Sequence, residues 1–333
     1  MSLATRKIGN GLVNPIGFGV MGISVWYGAI EPDEERLKVL DAALEEGCNH
    51  WDSAGDSELL IGKWFKETGK RSEIFLATKF GARGGKNGAP RGDPEYVKSQ
   101  CAKSLERLQT SYIDLYYQHR PDPSVPIELT VGAMAELVKE GKVKNLGLSE
   151  CTAADLRRAH SVHPIAAIQV EYSPFALHIE DEKLAILKTA RELGVTVVAY
   201  SPLARGILTG RFTSPDDFEE SDFRKIVPKF QKENFPKILD VVKELNDIGT
   251  KHSATAGQVT LAWILAQGED FVVIPGTKKI KYMKENMAAS GVKLSSEEIA
   301  EIRRISEASD IPGDRYPAAA QATVMVDTPP LPK

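Results

Sequence analysis

Residues 49–58 read Asn-His-Trp-Asp-Ser-Ala-Gly-Asp-Ser-Glu, and they show how this chain passes from strand to helix. Asp52 follows a short apolar run, which is typical of the carboxyl end of a buried strand. Ser57 is placed to cap a following helix, in which Leu60, Ile61 and Trp64 recur at helical spacing. A single Asp in such a place is most often a turn or capping residue. In α/β proteins, however, ligands collect at strand carboxyl ends, so Asp52 is also a candidate for chemistry.

The same alternation of strand and helix continues through the chain. A strand runs into the glycines after residue 14, another ends at Asp52, and further strands are predicted at 74–79, 113–119, 143–148, 165–170, 195–200 and 271–274. Strands that are apolar throughout are buried on both faces, as in a parallel sheet. About eight such repeats without a change in composition predict an α/β protein with a (β/α)8 TIM barrel, in a single domain spanning residues 1–333.

Three segments lie outside the eight predicted repeats. An Asn-Gly pair within residues 5–13 predicts an N-terminal β-hairpin. An insertion rich in Pro, Asp and Lys covers about residues 209–236, and extra helices follow it. The C-terminal extension at 312–333 is mostly irregular. It either lies across the mouth of the barrel or is a solvated tail.

Composition and charge exclude several classes of protein. A formal net charge of −4 argues against nucleic acid as a partner. Cys48, Cys101 and Cys151 are scattered and lack zinc-finger spacing, which favours a reducing compartment. The N-terminus lacks the apolar run of a signal peptide and no stretch resembles a membrane span, so we expect a cytoplasmic protein without a membrane partner. The oligomeric state cannot be read from the sequence.

Glycines 17, 19 and 22 match the G-x-G-x-x-G pattern of dinucleotide-binding Rossmann folds. That motif needs its last glycine to open a helix, whereas the helical pattern here begins only near Glu34. We therefore interpret these glycines as a strand-end loop at which the backbone approaches a ligand.

Three successive strands are predicted to end in titratable side chains. These are Asp52, Lys79 and His119. Because active sites of TIM barrels lie at the carboxyl ends of the strands, a carboxylate, an ammonium group and an imidazole would meet there. Asp52 would hold Lys79 charged, and His119 would donate a hydrogen bond to a substrate oxygen.

Several motifs in order along the chain resemble those of the aldo-keto reductases, particularly the fungal and plant branch that depends on NADPH. They are Gly17-Phe18-Gly19, Trp51-Asp52-Ser53-Ala54, Ala77-Thr78-Lys79-Phe80, residues 114–120 (Asp-Leu-Tyr-Tyr-Gln-His-Arg), residues 147–150 (Gly-Leu-Ser-Glu), residues 169–174 (Gln-Val-Glu-Tyr-Ser-Pro), residues 200–206 (Tyr-Ser-Pro-Leu-Ala-Arg-Gly) and residues 274–278 (Ile-Pro-Gly-Thr-Lys). The resemblance implies an oxidoreductase that transfers a hydride from NADPH to an aldehyde or ketone, with a tyrosine as proton donor.

The resemblance also implies roles for residues. Asp52, Lys79 and His119 match the catalytic set. The residues that match the NADPH site are Gly19, Met21, Ser149, Glu150, Gln169, Tyr200, Ser201, Pro202, Leu203, Arg205, Gly206, Pro275, Gly276, Thr277, Lys278, Glu285 and Asn286. Of these, Ser149, Glu150 and Gln169 match the residues that approach the nicotinamide carboxamide, and Tyr200 matches the aromatic ring that stacks on the nicotinamide.

Lys278 carries the preference for NADPH over NADH. In the resemblance it is the counter-charge to the 2′-phosphate. The alternative is a solvated loop lysine beside Lys279.

The chain departs from the family pattern after Asp52. The family has Asp-Ser/Thr-Ala, two further residues and then Tyr-Gly, whereas this chain passes from Ala54 directly to Gly55. The proton-donor tyrosine is therefore absent. A true deletion, a wrongly set intron boundary, or residues missing from the sequence at this junction would each explain it.

Three functions are compatible with these sequence features. The first is NADPH-dependent reduction of a small carbonyl substrate, impaired by the lost tyrosine. The second is a non-catalytic NADPH-binding module that reports redox state to a partner protein. The third, a metal-dependent isomerase or lyase on the same barrel, is disfavoured because the strand ends lack clusters of carboxylates and histidines.

Overall fold

The computed structural model describes residues 5–332, and a parallel sheet of eight strands forms its centre. A hairpin of two short antiparallel strands, β1 (Arg6–Ile8) and β2 (Gly11–Val13), precedes this sheet, as the Asn-Gly pair predicted. The strands of the sheet neighbour one another in chain order. They are β3 (Phe18–Gly19), β4 (His50–Asp52), β5 (Phe75–Phe80), β6 (Ile113–Gln118), β7 (Val143–Ser149), β8 (Ile165–Glu171), β9 (Thr196–Tyr200) and β10 (Phe271–Val273).

The sheet curls until its first and last strands meet. Ile16 and Val273 form a parallel bridge. The amide of Gly17 donates to the Val273 carbonyl at 2.8 Å, and the amide of Val273 donates to the Pro15 carbonyl at 2.9 Å. The predicted (β/α)8 TIM barrel is confirmed, and all eight carboxyl ends therefore lie at one mouth.

Helices connect the strands and continue after the last one. They are α1 (Asp33–Glu45), α2 (Ser57–Thr68), α3 (Pro94–Arg107), α4 (Ile127–Lys139), α5 (Ala153–Val162), α6 (Ile186–Leu193), α7 (Phe235–Lys251), α8 (Ala256–Leu265), α9 (Ile280–Ala288), α10 (Ser296–Ala308) and α11 (Ala318–Gln321). Helix α6 begins only at Ile186. Ala185 has a left-handed backbone with φ of 51°, so helical geometry cannot begin before Ile186.

The hairpin closes the end of the barrel opposite the mouth. Ile8 and Val13 are fully buried and belong to the apolar cluster that fills the barrel interior, together with Phe75, Leu115 and Val272. The hydroxyl of Thr196 fastens the hairpin by donating to the Lys7 carbonyl at 2.8 Å. The hairpin therefore covers this end, and a ligand site is expected at the carboxyl ends of the strands.

Aromatic residues set the position of β4 against α2. The rings of Trp51 and Trp64 lie 4.7 Å apart, and that of Phe65 stacks parallel to Trp51 at 6.5 Å. The indole nitrogen of Trp51 donates to the Cys48 carbonyl at 2.9 Å, so this buried donor is satisfied. This packing holds the outer face of β4 and directs the next side chain, Asp52, into the barrel.

The segment after α10 lies across the mouth of the barrel, which decides between the two placements that the sequence left open. The side-chain amide of Asn234 donates to the Pro312 carbonyl at 2.9 Å. The amide of Met325 donates to the Glu150 carbonyl at 2.8 Å, and Thr328 is buried. We call residues 312–332 the C-terminal segment; Lys333, the last residue of the predicted tail, lies outside the described residues.

The predicted insertion at 209–236 contains only short 3-10 turns before α7 begins. These turns are Pro215–Asp217, Phe223–Ile226, Pro228–Phe230 and Lys232–Asn234. Among the helices of residues 5–332, none combines the length and the apolar character needed to cross a bilayer.

Two helix glycines give a matched test of the packing around α2. A Cβ added at Gly62 would lie 2.1 Å from the Arg107 carbonyl oxygen at the end of α3, whereas one at Gly132 in α4 meets no atom within 4 Å. We expect Gly62→Ala to lower the free energy of unfolding by about 1–3 kcal/mol, because backbone must shift. Gly132→Ala should instead be neutral or raise it by up to about 1 kcal/mol through helix propensity. Urea unfolding of both variants checks this, and equal effects would contradict it.

Candidate active site

Asp52 and Lys79 form a buried ion pair at the mouth of the barrel. Asp52 is the last residue of β4, and its partner on the neighbouring strand β5 is Ala77. Lys79 lies two residues after Ala77, towards the carboxyl end of β5. The Lys79 ammonium donates to the Asp52 carboxylate and, at 3.0 Å, to the Ser53 carbonyl. Both side chains are almost fully buried. The structure thus brings together two residues that the sequence singled out 27 positions apart.

Gln169 completes the surroundings of Asp52 from across the barrel. Its side-chain amide on β8 donates to the second carboxylate oxygen of Asp52 at 2.8 Å. The sequence placed Gln169 near a nicotinamide carboxamide, and the structure turns it towards the carboxylate instead. With Lys79 on one oxygen and Gln169 on the other, the orientation of the Asp52 carboxylate is fixed by hydrogen bonds from two sides.

His119 follows β6 directly, and its amide donates to the Phe80 carbonyl at 2.7 Å. Burial, and the positive charges of Arg120 and Lys79, lower the pKa of His119 well below its ordinary value. The imidazole is therefore neutral around pH 7, and it carries one N–H that can be donated to a ligand oxygen.

A chain of hydrogen bonds runs from Glu150 to the C-terminal segment. The hydroxyl of Tyr200, at the end of β9, donates to Glu150 Oε1 at 2.8 Å. The hydroxyl of Tyr316 in turn donates to the Tyr200 oxygen at 3.0 Å. Tyr200, which the resemblance assigned to stacking on the nicotinamide, is thus oriented through its hydroxyl, its ring packs against the apolar cluster of the barrel interior, and the stacking role stays a prediction.

Arg315 ties the C-terminal segment to two buried carboxylates. Its guanidinium donates to Glu150 Oε2 at 3.0 Å and to Glu171 Oε2 at 3.2 Å. Arg205 lies 3.6 Å from Glu171 and donates to the Arg315 carbonyl at 2.8 Å. Burial alone raises the pKa of Glu150, but the charge and hydrogen bonds of Arg315, with Arg120, outweigh it and lower the pKa to about 2.

The loop after β9 is curled and rich in left-handed backbone. Ser201, Ala204 and Arg205 have φ of 48°, 46° and 57°, and Gly206 follows with 87°. The amide of Ala204 donates to the Ser201 carbonyl at 2.8 Å. Such conformations are uncommon in residues other than glycine and cluster at ligand sites. The structure therefore gives the predicted pyrophosphate loop an unusual shape, which also contains Pro202 and Leu203.

The seam between the first and last strands brings together the glycines of two predicted cofactor segments. A Cβ at Gly276 would lie 2.9 Å from the Gly19 carbonyl oxygen, and one at Gly19 would lie 2.7 Å from the Ile274 carbonyl oxygen. Met21 lies in the 3-10 turn Val20–Ile23 directly after β3. Pro275 joins β10 to this seam, since its carbonyl accepts from the Gly19 amide at 3.2 Å.

Lys278 is neither a solvated lysine nor paired with an acid. Its ammonium donates to the carbonyls of Tyr27 at 2.6 Å and Ala29 at 2.9 Å, and burial lowers its pKa. The neighbouring Lys279 pairs with Glu31 at 2.8 Å. Lys278 thus holds the loop after β3 in this structure, and its role towards a 2′-phosphate stays a prediction.

The remaining predicted cofactor residues lie in three separate elements: the loop after β10, helix α9 and the end of β7. Thr277 accepts from the Lys279 amide at 3.1 Å, Glu285 accepts from the Thr255 hydroxyl at 2.8 Å, and Asn286 is buried on α9. Ser149 ends β7, and its hydroxyl lies 3.5 Å from a guanidinium nitrogen of Arg120.

The chain between Asp52 and α2 is short and bonded within itself. The hydroxyls of Ser53 and Ser57 lie 2.8 Å apart, and the amide of Ala54 donates to the Ser57 hydroxyl at 3.3 Å. The expectation that Ser57 caps α2 is wrong, because Asp56 occupies the cap position and the Ser57 hydroxyl points back along the chain. Residues 53–57 contain no tyrosine.

Sequence reasoning missed Arg315 and Tyr316. They lie in an irregular segment, where hydrophobic periodicity carries no information, and only their position in the folded chain brings them to the mouth. Within residues 5–332, no three His, Cys, Asp or Glu side chains group so that they could hold a metal ion.

Comparison with known proteins agrees with this arrangement. The sequence profile of the aldo/keto reductase family matches residues 15–307. This chain therefore belongs to the aldo/keto reductase family and is an oxidoreductase.

Particular relatives with high identity include two fungal proteins. The chain is 65% identical to aldo-keto reductase str7 of Strobilurus tenacellus and 47% identical to aldo-keto reductase yakc [NADP(+)] of Schizosaccharomyces pombe, over all of each chain. Both alignments run over 341 positions, eight more than the 333 residues of this chain, so each relative carries residues that this chain lacks. Among solved structures, the glycerol dehydrogenase AKR11B4 from Gluconobacter oxydans is 28% identical with a TM-score of 0.83, covering 94% of this chain and 98% of that one.

The contacts of Arg315 predict a large loss of stability when it is removed. In Arg315→Met the fully buried Glu150 loses its counter-charge, so we expect the free energy of unfolding to fall by about 3–5 kcal/mol. Arg304→Met is the control, because Arg304 is mostly exposed and its ion pair with Glu301 is long, at 3.9 Å. This substitution should change the free energy of unfolding by less than about 0.5 kcal/mol. Urea unfolding measures both, and a loss no larger than that of the control would show that the pair contributes little.

The lowered pKa of Glu150 also predicts how acid destabilises the protein. A carboxyl whose pKa falls on folding stabilises the protein above its unfolded pKa, and this contribution is lost as the pH falls towards the folded value. For Glu150 the window runs from pH 4.5 down to about 2. Unfolding measured at pH 6 and pH 3 should show a smaller acid loss in Arg315→Met than in the unsubstituted protein. An equal acid loss in both would mean that Arg315 does not hold Glu150 ionised.

Proposed function

We propose that this chain binds NADPH at the mouth of the barrel and reduces small aldehydes or ketones to alcohols, at a rate lowered by the lack of a proton-donor tyrosine. The observation that carries this proposal is the buried Asp52–Lys79 pair beside a neutral His119. The three side chains come from adjacent strands and face the same opening, as a carbonyl-reducing site requires.

The residues around the mouth fit a dinucleotide. The curled backbone of residues 201–206 and the side chain of Arg205 suit a pyrophosphate. The close approach of Gly19 and Gly276 leaves no room for side chains between the two segments that would flank the adenosine end. NADP(+) stands in the name of the Schizosaccharomyces pombe relative, and we infer the same cofactor here. When bound, NADPH supplies the hydride.

His119 and Lys79 polarise the carbonyl group of the substrate. The neutral imidazole donates its N–H to the carbonyl oxygen, which favours the negative charge that develops there. Lys79 adds a positive charge, which Asp52 and the Ser53 carbonyl hold in place. Binding and polarisation therefore need no residue that this chain lacks.

Protonation of the product is the impaired step. Because His119 is neutral, it offers no imidazolium proton, and the alkoxide must take its proton from Lys79 or from water. Positioned general acids contribute typically about 10²–10⁴-fold. We expect the residual turnover to be lower than that of an intact relative by about this factor.

A direct test restores what the chain lacks. Two residues followed by a tyrosine, as in the family pattern, are inserted between Ala54 and Gly55, and the same insert with phenylalanine for tyrosine serves as the matched control. NADPH binding is followed by quenching of tryptophan fluorescence, and turnover by NADPH oxidation with 4-nitrobenzaldehyde. We expect all three proteins to bind NADPH and the tyrosine insert alone to gain about 10²–10⁴-fold in turnover.

Three other outcomes would contradict part or all of the proposed function. If the chain without an insert already matches the turnover of the tyrosine insert, its activity is not impaired. If all three proteins bind NADPH and none oxidises it, the non-catalytic module becomes the better description. If none binds NADPH, the proposed function is wrong.

A further inference from the structure

The charged side chains at the mouth of the barrel are almost completely matched in sign. Glu150 and Glu171 are opposed by Arg315 and Arg205, all four with side chains no more than 10% exposed. The Asp52 carboxylate is opposed by Lys79 in the same way. Such matching is expected, because an unpaired charge in a low-dielectric site is unfavourable.

Arg120 stands outside this matching. Its guanidinium donates to the His119 carbonyl at 2.8 Å, and lies 3.5 Å from the Ser149 hydroxyl and 3.4 Å from the Tyr316 hydroxyl. All three partners are neutral oxygens. Within residues 5–332, no carboxylate oxygen lies within 4 Å of the Arg120 guanidinium, although the residue is half-buried. Arg120 therefore has no direct ion pair among these residues, and Glu150 acts on it only from beyond ion-pair distance.

The position of Arg120 ties this charge to the substrate. It directly follows His119, and its guanidinium reaches towards Ser149 at the end of the next strand. Its aromatic neighbour Tyr316 belongs to the C-terminal segment that covers the mouth, with the guanidinium carbon 5.8 Å from the ring centre. The guanidinium is held against the His119 main chain and the end of β7, so it lies in the part of the mouth that a carbonyl compound bound at His119 would enter.

We propose that Arg120 binds an anionic group of the substrate, so that the carbonyl compounds this site accepts best carry a carboxylate. The inference rests on the proposed carbonyl-reducing function of the same site. A guanidinium and a carboxylate form paired, charge-assisted hydrogen bonds. Two N–H groups of one guanidinium can donate to the two oxygens of one carboxylate, and a neutral group matches this geometry and charge less well. The substrate carboxylate would form the direct ion pair that Arg120 lacks among residues 5–332.

The phosphates of NADPH are a second possible source of negative charge near Arg120. Arg205 in the curled loop and the backbone of residues 201–206 already offer a phosphate site, so we assign Arg120 to the substrate. The experiment therefore measures the affinity for NADP+ separately from the affinity for a carboxylate.

Binding can be measured without turnover, so the test does not depend on the missing tyrosine. The probes are 4-(hydroxymethyl)benzoate and its neutral counterpart 4-(hydroxymethyl)benzamide, which resemble the alcohol product. Each is titrated calorimetrically into the protein alone and into its complex with NADP+. We expect the benzoate to bind about tenfold or more tightly than the benzamide in at least one of these two forms.

Three variants locate the preference. Arg120→Met should abolish the preference while changing NADP+ affinity by less than about threefold, and Arg120→Lys should retain part of it because a point charge lacks the fork. Tyr316→Phe removes a neighbouring hydroxyl but no charge, and it should retain the preference. Raising the salt concentration should weaken the preference in the unsubstituted protein and leave benzamide binding unchanged.

The proposal is overturned if neither form of the unsubstituted protein prefers the benzoate, or if Arg120→Met keeps the preference. It is also overturned if Arg120→Met loses tenfold or more in NADP+ affinity, since Arg120 would then belong to the cofactor site. If the unsubstituted protein does not bind NADP+, the proposed carbonyl reduction fails, whereas the titration of the protein alone still decides whether Arg120 binds anions. A circular dichroism spectrum of each variant distinguishes loss of binding from loss of folding.

Discussion

Closure of the sheet at a short seam is the constraint on which the rest of this molecule depends. Only a few backbone hydrogen bonds join the first and last strands, among them those between Gly17, Val273 and Pro15. Without this closure the ends of β3 and β10 would lie on opposite edges of an open sheet. With it, carboxyl ends from eight strands share one opening, and the close approach of Gly19 and Gly276 results directly from the geometry of the seam.

Several charged side chains are buried at this mouth, and the C-terminal segment supplies a positive charge that compensates two of the carboxylates. Glu150 directly follows β7, Glu171 ends the neighbouring strand β8, and both are buried. Arg315 of the C-terminal segment donates to both carboxylates. Burying carboxylates without such a partner would cost several kcal/mol each. The segment is therefore part of the site, and it orders Tyr200 through the hydroxyl of Tyr316.

The arrangement around Asp52 is formed without a tyrosine in residues 53–57. Asp52, Lys79 and Gln169 are joined by hydrogen bonds that do not pass through residues 53–57, except for the carbonyl of Ser53. The short connection to α2 closes on itself through two serine hydroxyls. In the proposed function, binding and polarisation of a substrate are thus separable from its protonation, because different parts of the chain would provide them.

Strand ends and their titratable residues could be predicted from the sequence because hydrophobic runs are local. Asp52, Lys79 and His119 each lie at the end of such a run, and a parallel barrel gathers the carboxyl ends of its strands at one opening. The interpretation failed where it rested on a single residue without periodicity. Ser57 was expected to cap α2 because serine favours the cap position. In the structure α2 begins at Ser57 itself, so Asp56 occupies the cap position.

The sequence by itself thus determined the class of fold, the order of the strands and the three candidate catalytic residues, since each depends on short-range patterns of apolar side chains. The tertiary structure alone decided that the C-terminal segment lies across the mouth, that Gln169 bonds to Asp52 and that Arg120 has no acidic partner among residues 5–332. These features depend on which side chains meet across the barrel. Distances between residues far apart in the chain are set by closure of the sheet, and no local pattern records them.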